Sequence, residues 1–187
     1  MPSGTVGPGL DNGFNGEFSG FEIQTSANLG TAVVQGWELS YQQQFTFLPG
    51  LLRGLGLSVN YTYLKTHGDF GGPTTRSTDE VPDFIPRTGN VSLSWRYGKF
   101  GARVNVNYTD GYLDALNAAN APLNLYRVER TIVNAGVAYR FRPALSFSID
   151  VGNLFNEHQA FYRGYPDRMQ STIIPGTTIT FGVSGRF

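Results

Sequence analysis

Apolar and polar residues alternate along most of the chain. Residues 55–63 place Leu55, Leu57, Val59, Tyr61 and Tyr63 on one side and Gly56, Ser58, Asn60 and Thr62 on the other. Successive strand side chains point to opposite faces, so a period of two predicts a strand with one apolar and one polar face. The same period recurs at residues 91–97, around Val91, Leu93, Trp95 and Tyr97, and at 102–108, around Ala102, Val104, Val106 and Tyr108. It returns at 133–141 (Val133, Ala135, Val137, Tyr139, Phe141), at 145–151 (Leu145, Phe147, Ile149, Val151) and at 179–187 (Ile179, Phe181, Val183, Phe187). An earlier stretch, 37–45, carries Trp37, Leu39, Tyr41 and Phe45, with Gln43 breaking the rule. Seven strands are therefore predicted. Residues 18–32 supply either an eighth or an upward extension of the first. No segment has a period of 3.6, so little helix is expected.

The connections alternate in length. Gly98-Lys99-Phe100-Gly101, Arg142-Pro143-Ala144 and the turn around Leu48-Pro49-Gly50 are short. Residues 66–87, 114–126 and 157–171 form long polar links. Short turns at one end and long links at the other fit an up-and-down antiparallel barrel. Aromatic residues gather at both ends. Phe45, Phe47, Trp95, Tyr97, Tyr139, Phe141 and Phe187 fall near the short turns; Tyr61, Tyr63, Tyr108, Tyr112 and Phe155 fall near the long links. Two such rows are what an outward face needs where it crosses two membrane–water interfaces.

Composition decides which way the apolar faces turn. A soluble barrel or sandwich would tuck them inside, and this is the competing reading. Charged residues make up only 15% of the chain, against about 25% in an ordinary soluble domain, and only Lys65 and Lys99 are lysine. The polar faces carry Ser, Thr, Asn, Gln, Gly and Arg, which suit a wet lumen better than a solvent-facing surface. In lipid, unpaired backbone is expensive, so such strands must belong to a closed barrel. Fourteen cations balance fourteen acids, so no basic excess points to nucleic acid. The absence of cysteine removes disulfides, thiolate metal sites and cysteine nucleophiles. The first residues lack the basic start and apolar core of a secretory signal, which fits either a cytosolic protein or a chain without its true beginning. The strand pattern favours the second.

Four segments carry a resemblance to the C-terminal part of a TonB-dependent receptor of the Gram-negative outer membrane. They are Gly36-Trp37-Glu38-Leu39-Ser40-Tyr41-Gln42 with the following Leu48-Pro49-Gly50; Pro86-Arg87-Thr88-Gly89-Asn90; Asp150-Val151-Gly152-Asn153-Leu154-Phe155-Asn156-Glu157; and Pro175-Gly176-Thr177 leading to Phe181…Phe187. The resemblance implies an all-β, antiparallel up-and-down transmembrane segment of about seven strands, open, and part of a 22-stranded barrel with a plugged lumen. Residues 1–20 would be an outer loop or irregular segment and 21–187 the barrel portion, with the plug absent. It implies energy-coupled uptake of a bulky nutrient such as a siderophore, haem, cobalamin or glycan, at the cell outer membrane. The implied partners are outer-membrane lipid, the barrel assembly machinery, the missing N-terminal strands and plug, and TonB only through an absent N-terminal box. Ile179, Phe181, Val183 and Phe187 resemble the signal read by the assembly machinery, although Gly185 departs from the apolar residue often found there. On this reading the chain is a truncated product or a fragment. The alternative is a small self-contained membrane or soluble barrel with a binding or structural role.

Candidate sites are few. Tyr162, Arg163, Tyr165 and Arg168 combine aromatic rings with arginine, a set suited to an anionic or planar ligand. The same segment also reads as an interfacial loop held by its own Arg–Asp contacts. His67 and His158 are loop residues unless the fold brings them together at a ligand or metal. Arg76, Asp79, Glu80 and Asp83 read as a solvated loop face. By alternation Arg96, Arg103, Arg140 and Arg186 face the lumen, where they could pair with plug carboxylates or with Glu38 and Asp150. Asn60, Asn90 and Asn107 face the lumen too, although each begins a glycosylation-like triplet. No phosphate-binding loop, nucleophile elbow or zinc-protease motif is present, so no catalytic residue, cofactor or metal is expected.

Overall fold

The computed structural model describes residues 3–5, 22–24, 30–70, 76–117 and 120–185. Two short strands, β1 (Ser3–Thr5) and β2 (Glu22–Gln24), pair with each other. The main sheet is built from β3 (Gly30–Gln44), β4 (Leu55–Phe70), β6 (Arg87–Tyr97), β7 (Phe100–Thr109), β10 (Arg130–Arg142), β11 (Leu145–Gly152) and β14 (Thr178–Gly185). The short β5 (Arg76–Thr78) adds to the top of β4. A second sheet holds β8 (Tyr112–Ala115), β9 (Leu125–Arg127), β12 (Gln159–Arg163) and β13 (Met169–Ile173). Two 3-10 turns, Gly50–Gly54 and Ala121–Leu123, are the helical elements among the described residues.

All seven expected strands form, and each pairs antiparallel with its sequence neighbour in the main sheet. The first and last strands, β3 and β14, thus run in the same direction and are both edges. The sheet is open, so the seven strands do not enclose a lumen of their own. The first strand begins at Gly30, so part of the 18–32 stretch does extend it, while Glu22–Gln24 pairs with Ser3–Thr5 instead. Gln43 continues the ladder opposite Leu57 without a bulge. It is a polar residue on the apolar face, not a break in the strand.

The register sorts the wall into rungs. On one face Tyr41, Val59, Val91, Val106 and Val133 lie side by side, and the next rung is Leu57, Leu93, Val104 and Ala135. These side chains are uncovered: Leu39, Val91, Leu93, Val104, Val137, Ile149 and Phe181 are all exposed. On the other face the rungs read Ser40, Asn60, Asn90 and Asn107, then Ser58, Ser92 and Asn105. Neighbours on this face bond to each other: Ser40 Oγ donates to Asn60 Oδ1 at 2.8 Å, and Ser92 Oγ to Asn105 Oδ1 at 2.6 Å. The asparagines of the glycosylation-like triplets are thus members of a polar ladder.

Asn153 explains why residues 150–157 hold their shape. Its backbone sits in the left-handed region, φ 52°, which asparagine tolerates better than most residues. Its amide nitrogen donates to Asn134 Oδ1 on β10 at 2.9 Å. Its side chain donates to the carbonyls of Glu157 and Gly176, both at 3.1 Å, and accepts from the Glu157 backbone at 2.8 Å. Thr177 Oγ1 donates to its carbonyl at 2.8 Å. One residue therefore ties the end of β11 to β10 and to the approach to β14.

Candidate functional site

Two features of the molecule have functional geometry. The first is the wall. Its outward face carries aromatic rings at two heights with aliphatic rungs between. Near the short turns, Phe100 and Tyr139 lie 4.9 Å apart, Trp95 and Tyr97 stack at 6.2 Å, and Phe45 and Phe47 meet edge-on at 5.9 Å. Near the long links, Trp37 lies 5.4 Å from Tyr61 and 6.0 Å from Tyr63. The alternation had not placed Trp37 in that upper row; the register does, by setting it opposite Tyr63. Tyr108 and Phe100 mark the two rows on one strand. Eight residues separate them, about 27 Å of strand, close to an apolar band of about 25 Å once tilt is allowed for.

Tyr112 does not belong to the upper row. It is buried in the second sheet, where Arg127 lies 5.2 Å over its ring and 5.1 Å over Phe161 on the other side. The register Tyr112–Arg127–Phe161 stacks the three across β8, β9 and β12. Arg127 Nη2 also donates to Asp114 Oδ1 at 2.9 Å. The sequence reading missed this assembly because each contributing strand is only three to five residues long, too short for alternation to register.

The other face of the second sheet is covered by residues 79–86. Asp83 donates its amide to Leu113 O at 2.9 Å, and Val81 and Leu113 are buried there. The segment expected to be a solvated loop face is therefore a strap with one buried side chain. Its acids Asp79, Glu80 and Asp83 remain exposed, and the first two are engaged. Asp79 lies 3.0 Å from His67 Nδ1, and Glu80 accepts a 2.9 Å bond from Tyr126 OH. The side chain of Arg76 lies outside the described residues.

The four candidate ligand residues fall on β12 and the hairpin after it. Tyr162 stacks on Tyr126 with ring centres 5.1 Å apart and planes 9° from parallel. Burial raises the pKa of both phenols above the ordinary tyrosine value. Arg163 Nη1 donates to Leu123 O at 3.1 Å, so that guanidinium is partly spent on the fold. Tyr165 is 61% exposed, and Arg168 is exposed beside it at the tip. The tip is closed by backbone bonds, Arg163 N to Arg168 O at 3.0 Å and Arg168 N to Tyr165 O at 2.9 Å. Among the described residues Asp167 pairs with neither arginine. Gly164, with φ 68°, admits no side chain: a Cβ would stand 2.5 Å from Pro122 O.

The second feature is the polar face of the wall. Arg103 Nη2 donates to Asp150 Oδ1 at 2.7 Å, across the intervening strand β10. Gly136 lies directly between them and is buried; a Cβ there would strike the Asp150 carboxylate and stand 3.0 Å from Arg103 Nε. Glu38 enters no ion pair among the described residues. No group of three or more His, Asp or Glu that could hold a metal ion occurs among them. Arg186 and Phe187 lie outside the described residues, so of the assembly-signal set the structure places Ile179, Phe181 and Val183, all exposed on the outward edge of β14.

A single-layer antiparallel sheet, apolar and aromatic-belted on one side and polar on the other, is the wall of a transmembrane barrel. Residues 3–154, well over half of the 187-residue chain, match the family described as TonB dependent receptor-like, beta-barrel, and the chain belongs to that family. No curated protein and no solved structure matches it. This is a family of receptors and transporters rather than of enzymes, and its barrels lie in the outer membrane.

Proposed function

We propose that the chain forms part of the wall of an outer-membrane receptor for energy-coupled uptake of a bulky nutrient, of the siderophore, haem, cobalamin or glycan class. Residues 21–187 supply the wall segment and residues 1–20 an outer loop. The long-link end faces outward from the cell and the short turns face the periplasm. The plug, the strands that complete the perimeter and the box gripped by TonB come from sequence beyond these residues. Ile179, Phe181, Val183 and Phe187 present the strand read by the barrel assembly machinery. Tyr165 and Arg168, at the exposed tip, contact the ligand, with Tyr162 and Arg163 setting the hairpin that carries them. Arginine and tyrosine there favour an anionic or planar group.

The observation that carries this reading is the uncovered apolar face, with aromatic rows at two heights. The chain has two tryptophans, Trp37 in the upper row and Trp95 in the lower. In bilayers with brominated acyl chains both should be quenched, Trp37 alone surviving as the emitter in a Trp95→Phe variant. A chain that remains soluble without detergent, with neither indole quenched, would overturn the reading.

A further inference from the structure

Cations collect at the short-turn end. Residues 45–55, 95–102 and 139–147 carry Arg53, Arg96, Lys99, Arg140 and Arg142, and no Asp or Glu. Two of these cations stand beside the outward face. Arg140 pairs with Ser146 but Arg142 with Leu145, so β10 ends in a bulge. Strict alternation would turn Arg142 to the polar face with Arg140. The bulge sets it instead opposite Leu145, on the side of Phe147 and Ile149. Its guanidinium lies 5.3 Å over the Phe141 ring. Lys99, in the turn between β6 and β7, donates from Nζ to Phe141 O at 3.2 Å. Both residues are exposed, and neither meets a carboxylate among the described residues. Next to them the outward face has a hollow of about 390 Å³. It opens where the small Ala102 stands between Trp95 and Val137 on one rung, with Phe100 and Tyr139 on the next. The Trp95 ring is held in place, its Nε1 donating to Leu51 O at 2.8 Å.

We infer that the hollow and its two cations form a site for an anionic glycerophospholipid, with one acyl chain over Ala102 and the headgroup phosphate held by Arg142 and Lys99. The inference rests on the reading that this face meets lipid, and it adds which lipid. Aromatic rings mark the short-turn end as a membrane–water interface, the level at which phosphates lie. Ala102 is three residues from Lys99, about 10 Å of strand. The upper part of an acyl chain can therefore fill the hollow while its phosphate stays at the turn. A guanidinium takes two phosphate oxygens at once, and Lys99 adds a compact second charge. A zwitterionic headgroup would bring its own ammonium against these cations, with no acid in those three segments to answer it. A free phosphate would leave the hollow empty.

Trp95 forms one wall of the hollow and so reports on its occupant. The test uses the full chain with Trp37→Phe, inserted into phosphatidylcholine vesicles that contain a minor share of either brominated phosphatidylglycerol or brominated phosphatidylcholine. Quenching of Trp95 should show a preference for the anionic lipid of about fivefold, the effect of one cation near the surface, or more. Lys99→Gln/Arg142→Gln should abolish the preference while brominated phosphatidylcholine still quenches, which shows that the variant inserts. Ala102→Leu, which fills the hollow and keeps both charges, should lose most of the preference. Arg140→Gln, on the polar face of the same strand, should keep it. Equal quenching by the two brominated lipids overturns the inference. So does a preference that survives Ala102→Leu or the double glutamine change, since diffuse attraction would then explain it. In each of these cases Trp95 is still quenched, and the lipid site alone falls. If neither brominated lipid quenches Trp95, the membrane reading beneath it falls as well.

Discussion

The wall and the second sheet (β8, β9, β12 and β13), an outer sheet in the proposed orientation, solve the same problem in opposite ways. The wall leaves Val91, Leu93, Val104, Val137 and Ile149 exposed and buries no large apolar side chain among the described residues. The outer sheet, with strands of three to five residues, holds the buried Leu113 and Tyr112 and is covered by a strap carrying the buried Val81. Asn124 is buried in the same layer and accepts from Asn117 N through its side chain at 2.9 Å. A sheet that faces hydrocarbon needs no second layer, because lipid covers it and the ladder satisfies its backbone. A sheet that stands in water must bring its own cover. The difference marks where the solvent changes along one chain.

The comparison can be broken most severely at the centre of the wall. Val104→Arg places a cation on the aliphatic rung beside Leu93 and Ala135. At mid-bilayer it should destabilise the folded barrel by about 2–4 kcal/mol, seen as a lower midpoint in urea-dependent folding into vesicles. If this open sheet instead held that face in water, the same change would do little. Leu113→Ala should cost about 2–4 kcal/mol within the outer sheet. Amide exchange should then quicken in residues 112–127 while the wall stays protected. Asn153→Ala removes the side-chain bonds to Glu157 and Gly176 and should cost about 1–3 kcal/mol. Its readout is faster exchange at the start of β14.

Alkaline pH separates the regions more gently. Burial raises the pKa of Tyr112, Tyr126 and Tyr162 in the outer sheet, so the neutral phenols are favoured by the fold. Their contribution is complete below the ordinary tyrosine value, about 10, and is lost as pH climbs through the raised values. Near-ultraviolet circular dichroism from the outer sheet should therefore fade above that value before strand content falls. The smallest expected effect is at Gly136. Gly136→Ala should displace the exposed Arg103–Asp150 pair with a stability change of about 1 kcal/mol or less.

The wall was legible because lipid on one side and water on the other write a period of two into long strands. Tyr41, Val59, Val91, Val106 and Val133 were all assigned to the apolar face by alternation, and the register sets them on one rung. Arg103 and Asp150 were both expected on the polar face, and the fold joins them. The outer sheet was not legible. Its three-residue β9 is too short to show a period, and Arg127 reads as a charged loop residue until Tyr112 and Phe161 are brought to either side of it. Val81 gave no signal either, since one apolar residue among Glu80, Pro82 and Asp83 has no pattern around it. Of the four candidate ligand residues, the sequence could not separate Tyr162 and Arg163, tied to Tyr126 and Leu123, from Tyr165 and Arg168 at the open tip.

An odd number of strands has a consequence for company. Because β3 and β14 descend together, neighbouring copies inserted the same way up could meet only as parallel seams, whichever borders they offered. Continuing the hairpin pattern around a circumference takes ascending strands at both borders, which means an odd-membered complement from a different stretch of polypeptide.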